Sequence, residues 1–195
     1  NYGENAEPDT MTYPAKYDNV IAVGAINPDD SIATYSSFGP DLDLVAPGSD
    51  IRSTWTNNQY ATVSGTSMAA PFVSGVTALM LSINPHLTPH DVKHLLISNS
   101  EDLDQPTIQQ GSGLLRGDKV LEKTYEMSML PSYTVNVING ENGLISPKGQ
   151  FLMTEGNNLT FEIAPDKGYK VNVIIVNGEP IQASTTFTIE SIDQD

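Results

Sequence analysis

An α/β region followed by a small all-β domain is the fold class this sequence predicts, and three observations carry it. Short apolar runs at Val20–Ala25 and Asp43–Ala46 have the length and composition of buried parallel strands, the second leading into Pro47-Gly48. An apolar, alanine-rich segment from Ser67 to Ile83 is long enough for a buried helix. Beyond residue 131 the pattern changes to strict alternation, as in Tyr133-Thr134-Val135-Asn136-Val137 and Leu159-Thr160-Phe161-Glu162-Ile163. These shifts divide the 195 residues into 1–124 (α/β), a connecting stretch at 125–131, and 132–195 (all-β).

In the first region the parallel strands need crossover helices on both faces, as in a doubly wound sheet. The helix from Ser67 has Pro71 near its first turn, where a missing N–H does least harm, and ends before Asn84-Pro85. Thr88 caps a second helix, with Pro89 at its first position and Asp91 three residues after the cap. Val92, Leu95, Leu96 and Asn99 share one face of it. Asp118 to Glu122 forms a last short helical piece. In the second region Asn139-Gly140 and Asn142-Gly143 mark turns, and Pro165 stops a strand. Tyr169 to Val176 reads as a longer strand, and Asn177-Gly178 is a strong hairpin signal ahead of a strand at Phe187-Thr188-Ile189. Tyr133, Phe151, Phe161, Tyr169 and Phe187 are expected in its core.

Composition narrows the function. The net charge is −15, from 24 acidic against 9 basic residues. That balance argues against nucleic-acid partners and anionic membrane surfaces, both of which need a basic footprint. There is no cysteine, so disulfides and thiolate metal sites are excluded, though a chain this long can bury a core without them. No apolar run is expected to reach the length of a membrane span, so no membrane insertion is predicted. An acidic extracellular protein fits these features.

The chemistry centres on Gly65-Thr66-Ser67-Met68-Ala69-Ala70-Pro71. Here a serine sits at the start of the apolar helix, where unpaired backbone N–H groups and the positive end of the helix dipole favour developing negative charge. That setting suits a nucleophile. The histidines His86, His90 and His94 all follow it. If the helix runs unbroken, His86, nineteen residues on, lies about 28 Å from Ser67 at ~1.5 Å per residue. A returning helix recovers only about 12 Å by His94 at the same rise. A general base must come within about 3 Å of the hydroxyl, so none of the three qualifies. His90-Asp91-Val92-Lys93-His94 nearly spells a zinc-binding helix, but Asp91 has a capping role and no third ligand follows.

The serine motif resembles the nucleophile motif of the subtilases, the subtilisin-like serine proteases. Tyr13-Pro14, Val20-Ile21-Ala22-Val23-Gly24-Ala25, Tyr35-Ser36-Ser37-Phe38-Gly39-Pro40 and Val45-Ala46-Pro47-Gly48 resemble the family's landmarks before it. Asn84-Pro85-His86-Leu87-Thr88 and Gly111-Ser112-Gly113-Leu114-Leu115 resemble those after it. The resemblance covers about residues 1–122 and implies the C-terminal part of a doubly wound, subtilisin-like parallel sheet. The family's triad order is Asp, His, Ser. It implies that the Asp and His belong to a missing N-terminal half, a partner without which this chain is inactive, and whose absence leaves an apolar edge.

By the same resemblance Asn1, 66 positions before Ser67, is the side-chain donor of the oxyanion hole, with the Ser67 backbone N–H as the second donor. Its worth, about 10²–10³ in turnover, is a magnitude known from subtilisin and inherited with the likeness. Thr12, Tyr13 and Pro14 fall at the pocket for the residue before the scissile bond. Thr66 and Met68 flank the nucleophile in the substrate cleft, Met68 matching the family's oxidisable methionine. The carbonyls of Ala15, Tyr17 and Val20 with the Asp43 carboxylate resemble a weak cation site, which implies a structural calcium. The chemistry itself needs no cofactor. Polypeptide is the implied substrate.

Gly143-Leu144-Ile145-Ser146-Pro147, Pro165-Asp166-Lys167-Gly168-Tyr169-Lys170-Val171 and Val176-Asn177-Gly178 resemble bacterial extracellular β-repeats of the divergent internalin type. Such modules close with a further strand after Asp195. The likeness implies a spacer, adhesive or substrate-presenting role, in a bacterial protein that is secreted or held at the cell surface. The competing reading is a non-catalytic binding protein that retains a subtilase half-domain.

Overall fold

The computed structural model describes residues 9–192, so Asn1 lies outside the described residues. The chain divides into two units, one ending at Glu126 and one beginning at Met127.

In the first unit, β1 (Val23–Ile26) and β2 (Leu44–Pro47) pair in parallel, with Val23 opposite Leu44 and Ile26 opposite Pro47. Both are apolar throughout because both faces are covered. Ala25, Leu44, Val45 and Ala46 have no exposed surface. On the other side of β2 the Gly111–Leu115 motif adds a further parallel bridge: Val45 N donates to Gly113 O at 2.9 Å, and Leu115 N to Val45 O at 2.9 Å. Leu114 also exchanges two 2.8 Å bonds with Glu101. The motif needs a glycine here, since Gly113 has φ +113° and a Cβ on it would meet Glu101 O at 2.1 Å.

Between β2 and the helix lies an antiparallel hairpin, β3 (Ile51–Trp55) and β4 (Gln59–Val63), that the sequence reading did not anticipate. Its turn, Thr56–Asn58, carries Asn57 and Asn58 at φ 58°, a conformation asparagine tolerates well. Most of its side chains face solvent, with Arg52 over the Tyr60 ring at 5.2 Å.

Helix α1 (Thr66–Ile83) packs on β1 and β2 through Ala69, Val73 and Met80. The expected helix is present, with two corrections. Pro71 is the sixth helical residue, not part of the first turn, so the Ser67 carbonyl loses its N–H donor four residues on. By length and composition α1 is also apolar enough to cross a membrane, against the expectation that no segment reaches that length. The run is hard to see in the sequence because its alanines, serines and threonines dilute it without charging it. Within the first unit α1 leaves apolar side chains bare, with Phe72 42% and Leu79 53% exposed on one flank and Leu81 40% exposed on the other.

Helix α2 (Pro89–Ser98) begins with the predicted capping box: Asp91 N donates to Thr88 Oγ1 at 3.1 Å and Thr88 N to Asp91 Oδ2 at 2.9 Å. Val92 and Leu96 are its buried residues. The short α3 (Thr107–Gln110) brings Gln110 into the interior. There its amide donates to Asp102 Oδ1 and Gln105 O, both at 2.7 Å, and its oxygen accepts from Leu103 N at 2.8 Å. Helix α4 (Gly117–Ser128) is longer than the expected 118–122 and takes up the start of the expected 125–131 connection. Val120 and Thr124, both fully buried, repeat at helical spacing, and Thr124 Oγ1 bonds Val120 O at 2.8 Å.

The second unit contains β5 (Ser132–Val137), β6 (Gly143–Ser146), β7 (Gly149–Thr154), β8 (Leu159–Pro165), β9 (Ile174–Val176), β10 (Glu179–Ile181) and β11 (Thr186–Ile189). β5 pairs with β7, β8 lies between β6 and β11, and β9 with β10 forms a hairpin, all antiparallel. Asn177 (φ 50°) and Gly178 (φ 86°) make the turn that the sequence signalled. The expected strand from Tyr169 shrinks to Ile174–Val176, because its partner β10 offers only three residues to pair with. Phe161 is buried and stacks on Phe187 at 6.4 Å, but Tyr169 is 59% exposed and not in the core.

Candidate active site

Ser67 is the second residue of α1, so its N–H has no acceptor within the helix. Gly65 precedes the helix in an extended conformation (φ 160°, ψ 159°), and Met68 N closes the first turn onto Gly65 O at 2.9 Å. This turn is fixed to the carboxyl ends of the parallel strands. Gly48, just past β2, donates its N–H to Ile26 O at the end of β1 (3.1 Å) and accepts from Gly65 N at 2.8 Å. In open α/β sheets ligands bind beyond these strand ends. Position 48 must be glycine, since a Cβ there would lie 2.5 Å from Ala25 Cβ and 3.0 Å from Gly65 O.

Three features therefore converge on the Ser67 hydroxyl: an exposed position, a free backbone N–H beside it, and a helix N-terminus with no acidic side chain in its first turn. No hydrogen bond to the hydroxyl is present among the described residues. Thr66 and Met68 on either side are half-buried.

The tyrosine landmark lies in a separate turn. Thr12, Tyr13 and Pro14 are exposed, the Tyr13–Pro14 peptide is cis, and the Tyr13 ring packs on Tyr17 with centroids 4.8 Å apart. Asp9 anchors this segment through Met11 N at 2.9 Å and through Lys16. The Lys16 ammonium and then the Met11 N–H hold the Asp9 carboxyl below its usual range. Buried Ser36, from the Tyr35–Pro40 landmark, accepts Ala25 N at 2.9 Å, and Tyr35 joins Ser49 and Asn27 in a chain of 2.7 Å bonds at the strand ends.

The histidines stay away from Ser67. His90 and His94 stack on the outer surface of α2 with ring centroids 6.3 Å apart, and His86 is exposed in the turn before it. Among the described residues no cluster of three His, Cys, Asp or Glu side chains is placed to hold a metal.

The four oxygens expected around a cation are not an open cage. Tyr17 O accepts Val20 N at 2.9 Å. Asp43 Oδ2 accepts Ala22 N at 2.8 Å and pairs with the Lys93 ammonium at 3.0 Å. Val20 O accepts the same ammonium at 3.1 Å. Lys93, on α2 and 73 positions from Val20, escaped the sequence reading. Its signal lies within the string that nearly spells a zinc motif, between Val92 and His94.

A serine at a helix N-terminus, held against the carboxyl ends of a parallel sheet, is the nucleophile arrangement of a serine hydrolase. Comparison with known proteins narrows the class. The subtilase family profile matches residues 2–114, more than half of the chain. The chain belongs to the subtilase family, a family of serine proteases. It is 42% identical over 115 residues to subtilisin DY of Bacillus licheniformis, covering 59% of this chain and 42% of that protein. It is likewise 42% identical over 105 residues to halolysin of Haloferax mediterranei, covering 53% of this chain and 20% of halolysin. Among solved structures, the Clostridium perfringens CspB protease superposes with a TM-score of 0.54 at 32% identity, over 59% of this chain and 29% of CspB. The chain thus spans less than half the length of each of these relatives.

Proposed function

We propose that this chain supplies the nucleophile part of a secreted serine endopeptidase. Ser67 Oγ attacks the scissile carbonyl and passes its proton to an imidazole. The Ser67 N–H, with the Asn1 amide, bonds the oxyanion that forms; the C–N bond then breaks as the imidazolium gives its proton to the departing amine, and water, losing a proton to the same imidazole, hydrolyses the acyl group from Ser67. The observation that carries this reading is the Gly48–Gly65 hydrogen bond, which sets the serine-bearing helix terminus at the strand ends. The histidine and its carboxylate partner come from the N-terminal half of a subtilase domain, outside these 195 residues. The relatives' greater length and the distance of His86, His90 and His94 both support that assignment. The exposed flank of α1 at Phe72 and Leu79 is the apolar edge which that half covers. Thr12, Tyr13 and Pro14 line the pocket for the residue preceding the scissile bond.

Residues 132–195 act as an extracellular spacer or adhesive module of the bacterial β-repeat kind. The antiparallel strands and the Asn177-Gly178 hairpin support this. The subtilisin-like relatives support secretion.

The test is fluorophosphonate labelling, with the adduct located by mass spectrometry, of the chain alone and mixed with an N-terminal half from a related subtilase. Labelling of Ser67 only in the mixture is expected, and Ser67→Ala abolishes it with little change in folding. Labelling of the chain alone overturns the assignment of the base to another segment. If a mixture shown to associate gives no labelling, the non-catalytic binding protein becomes the better reading.

A further inference from the structure

The family likeness implies a cation on the carbonyls of Ala15, Tyr17 and Val20 and the Asp43 carboxylate, and the donor set here does not fit one. A calcium ion needs six to eight oxygens at about 2.3–2.6 Å. Here two of the four, Val20 O and the Asp43 carboxylate, face an ammonium, together with Asp18 O. Lys93 Nζ lies 3.1 Å from Asp18 O, 3.1 Å from Val20 O and 3.0 Å from Asp43 Oδ2. A lysine ammonium has three protons to donate, and each finds an oxygen. Asp43 is further fixed by Ala22 N at 2.8 Å. Both side chains are largely withdrawn from solvent, at 27% exposed for Lys93 and 13% for Asp43.

We propose that Lys93 is a covalently tethered cation that replaces the metal at this site. It clamps the turn through Asp18 and Val20 and the start of β2 onto α2, and it makes the fold independent of calcium. A metal on the same oxygens would sit within a few ångströms of the ammonium, and like charges so close repel strongly in a partly desolvated site. Lys93 therefore also excludes the ion. The inference concerns the fold and stands whether or not Ser67 is catalytic.

The test uses the 195-residue chain and terbium as the probe, read by tyrosine-sensitised luminescence beside urea unfolding in calcium or chelator. The native chain is expected to show the same unfolding midpoint in both, and no saturable terbium signal. Lys93→Met is expected to lower the midpoint in chelator, to recover stability with calcium, and to bind terbium on the order of tenfold more tightly or better. The double variant Asp43→Asn with Lys93→Met keeps an acceptor for Ala22 N and loses the terbium response, which locates the site. Saturable calcium stabilisation of the native chain overturns the proposal, and so does a folded Lys93→Met that ignores both ions. If Lys93→Met does not fold, Lys93→Arg, which keeps the charge, must fold and remain calcium-independent for the proposal to stand.

Discussion

Replacing Gly48 with alanine tests whether the sheet positions the nucleophile. The added Cβ falls 2.5 Å from Ala25 Cβ and 3.0 Å from Gly65 O. Carbon atoms pack best at ~3.5–4.0 Å, so one of the two must move by roughly 1 Å or more. Neither is a flexible side-chain end. Ala25 is fully buried in β1, paired opposite Ala46, and Gly65 O is main chain that accepts Met68 N in the first turn of α1. Overpacking of this kind costs about 1–3 kcal/mol. Loss of the 2.8 Å Gly65–Gly48 hydrogen bond adds about 0.5–1.5 kcal/mol. Gly75→Ala is the matched control, because a Cβ there meets nothing within 4 Å. As an exposed helix-interior site it should gain about 0.5–1 kcal/mol. Urea unfolding followed by circular dichroism gives the energies, and hydrogen exchange at the Gly65 amide reports the bond itself. An unchanged midpoint together with unchanged Gly65 protection in Gly48→Ala would refute the claim that the strand ends hold the serine turn.

Two further outcomes are expected. The carboxyls of Asp9, Asp29, Asp102 and Asp118 are all held below their usual 3.8, chiefly by Lys16, Ser31, Gln110 and Arg116 respectively. A lowered folded-state value contributes stability that is complete above the unfolded value and lost as pH falls through the folded one. The urea midpoint should therefore hold from pH 7 to about pH 5 and drop below about pH 4, and Asp102→Asn should flatten part of the drop. A midpoint that rises on acidification contradicts the assignment. Leu79→Glu, at a position 53% exposed on α1, should change stability by no more than about 0.5 kcal/mol while reducing self-association and dye binding. A large loss of stability would mean that this face is buried within the unit.

What the sequence made legible was local. The capping box at Thr88 and Asp91, the Asn177-Gly178 turn, and the helix that opens beside Ser67 are each written in a few adjacent residues, and the structure contains all three. What escaped depended on partners distant in the chain. Tyr169–Val173 has strand character but pairs with no neighbour among the described residues, so only Ile174–Val176 becomes β9. Gln110 is buried because three groups of the 102–105 loop fold around its amide. The β3–β4 hairpin was readable in principle from the Asn57-Asn58 pair between two β-rich segments, and was passed over. At the expected cation site two of the four expected oxygens, Val20 O and the Asp43 carboxylate, bond Lys93, and Asp18 O, outside the expected set, is the third partner. The charge facing them is on Lys93, 73 positions from Val20, where local pattern carries no information.

The arrangement separates holding a nucleophile from activating it. The features that hold Ser67 are internal to the first unit: Gly48 joins the ends of β1 and β2 to Gly65, and the helix terminus gives a free N–H. Among the described residues no histidine is hydrogen-bonded to the hydroxyl, and no other protein group accepts its proton. A serine hydroxyl so placed is oriented but weak, since nucleophilic strength in this class comes from an adjacent base. The two contributions should therefore respond to different changes. Gly48→Ala should disturb the geometry whether or not the other half of the domain is present. Addition of that half should raise reactivity at Ser67 without altering the Gly65–Gly48 bond, because both of its groups already have their partners.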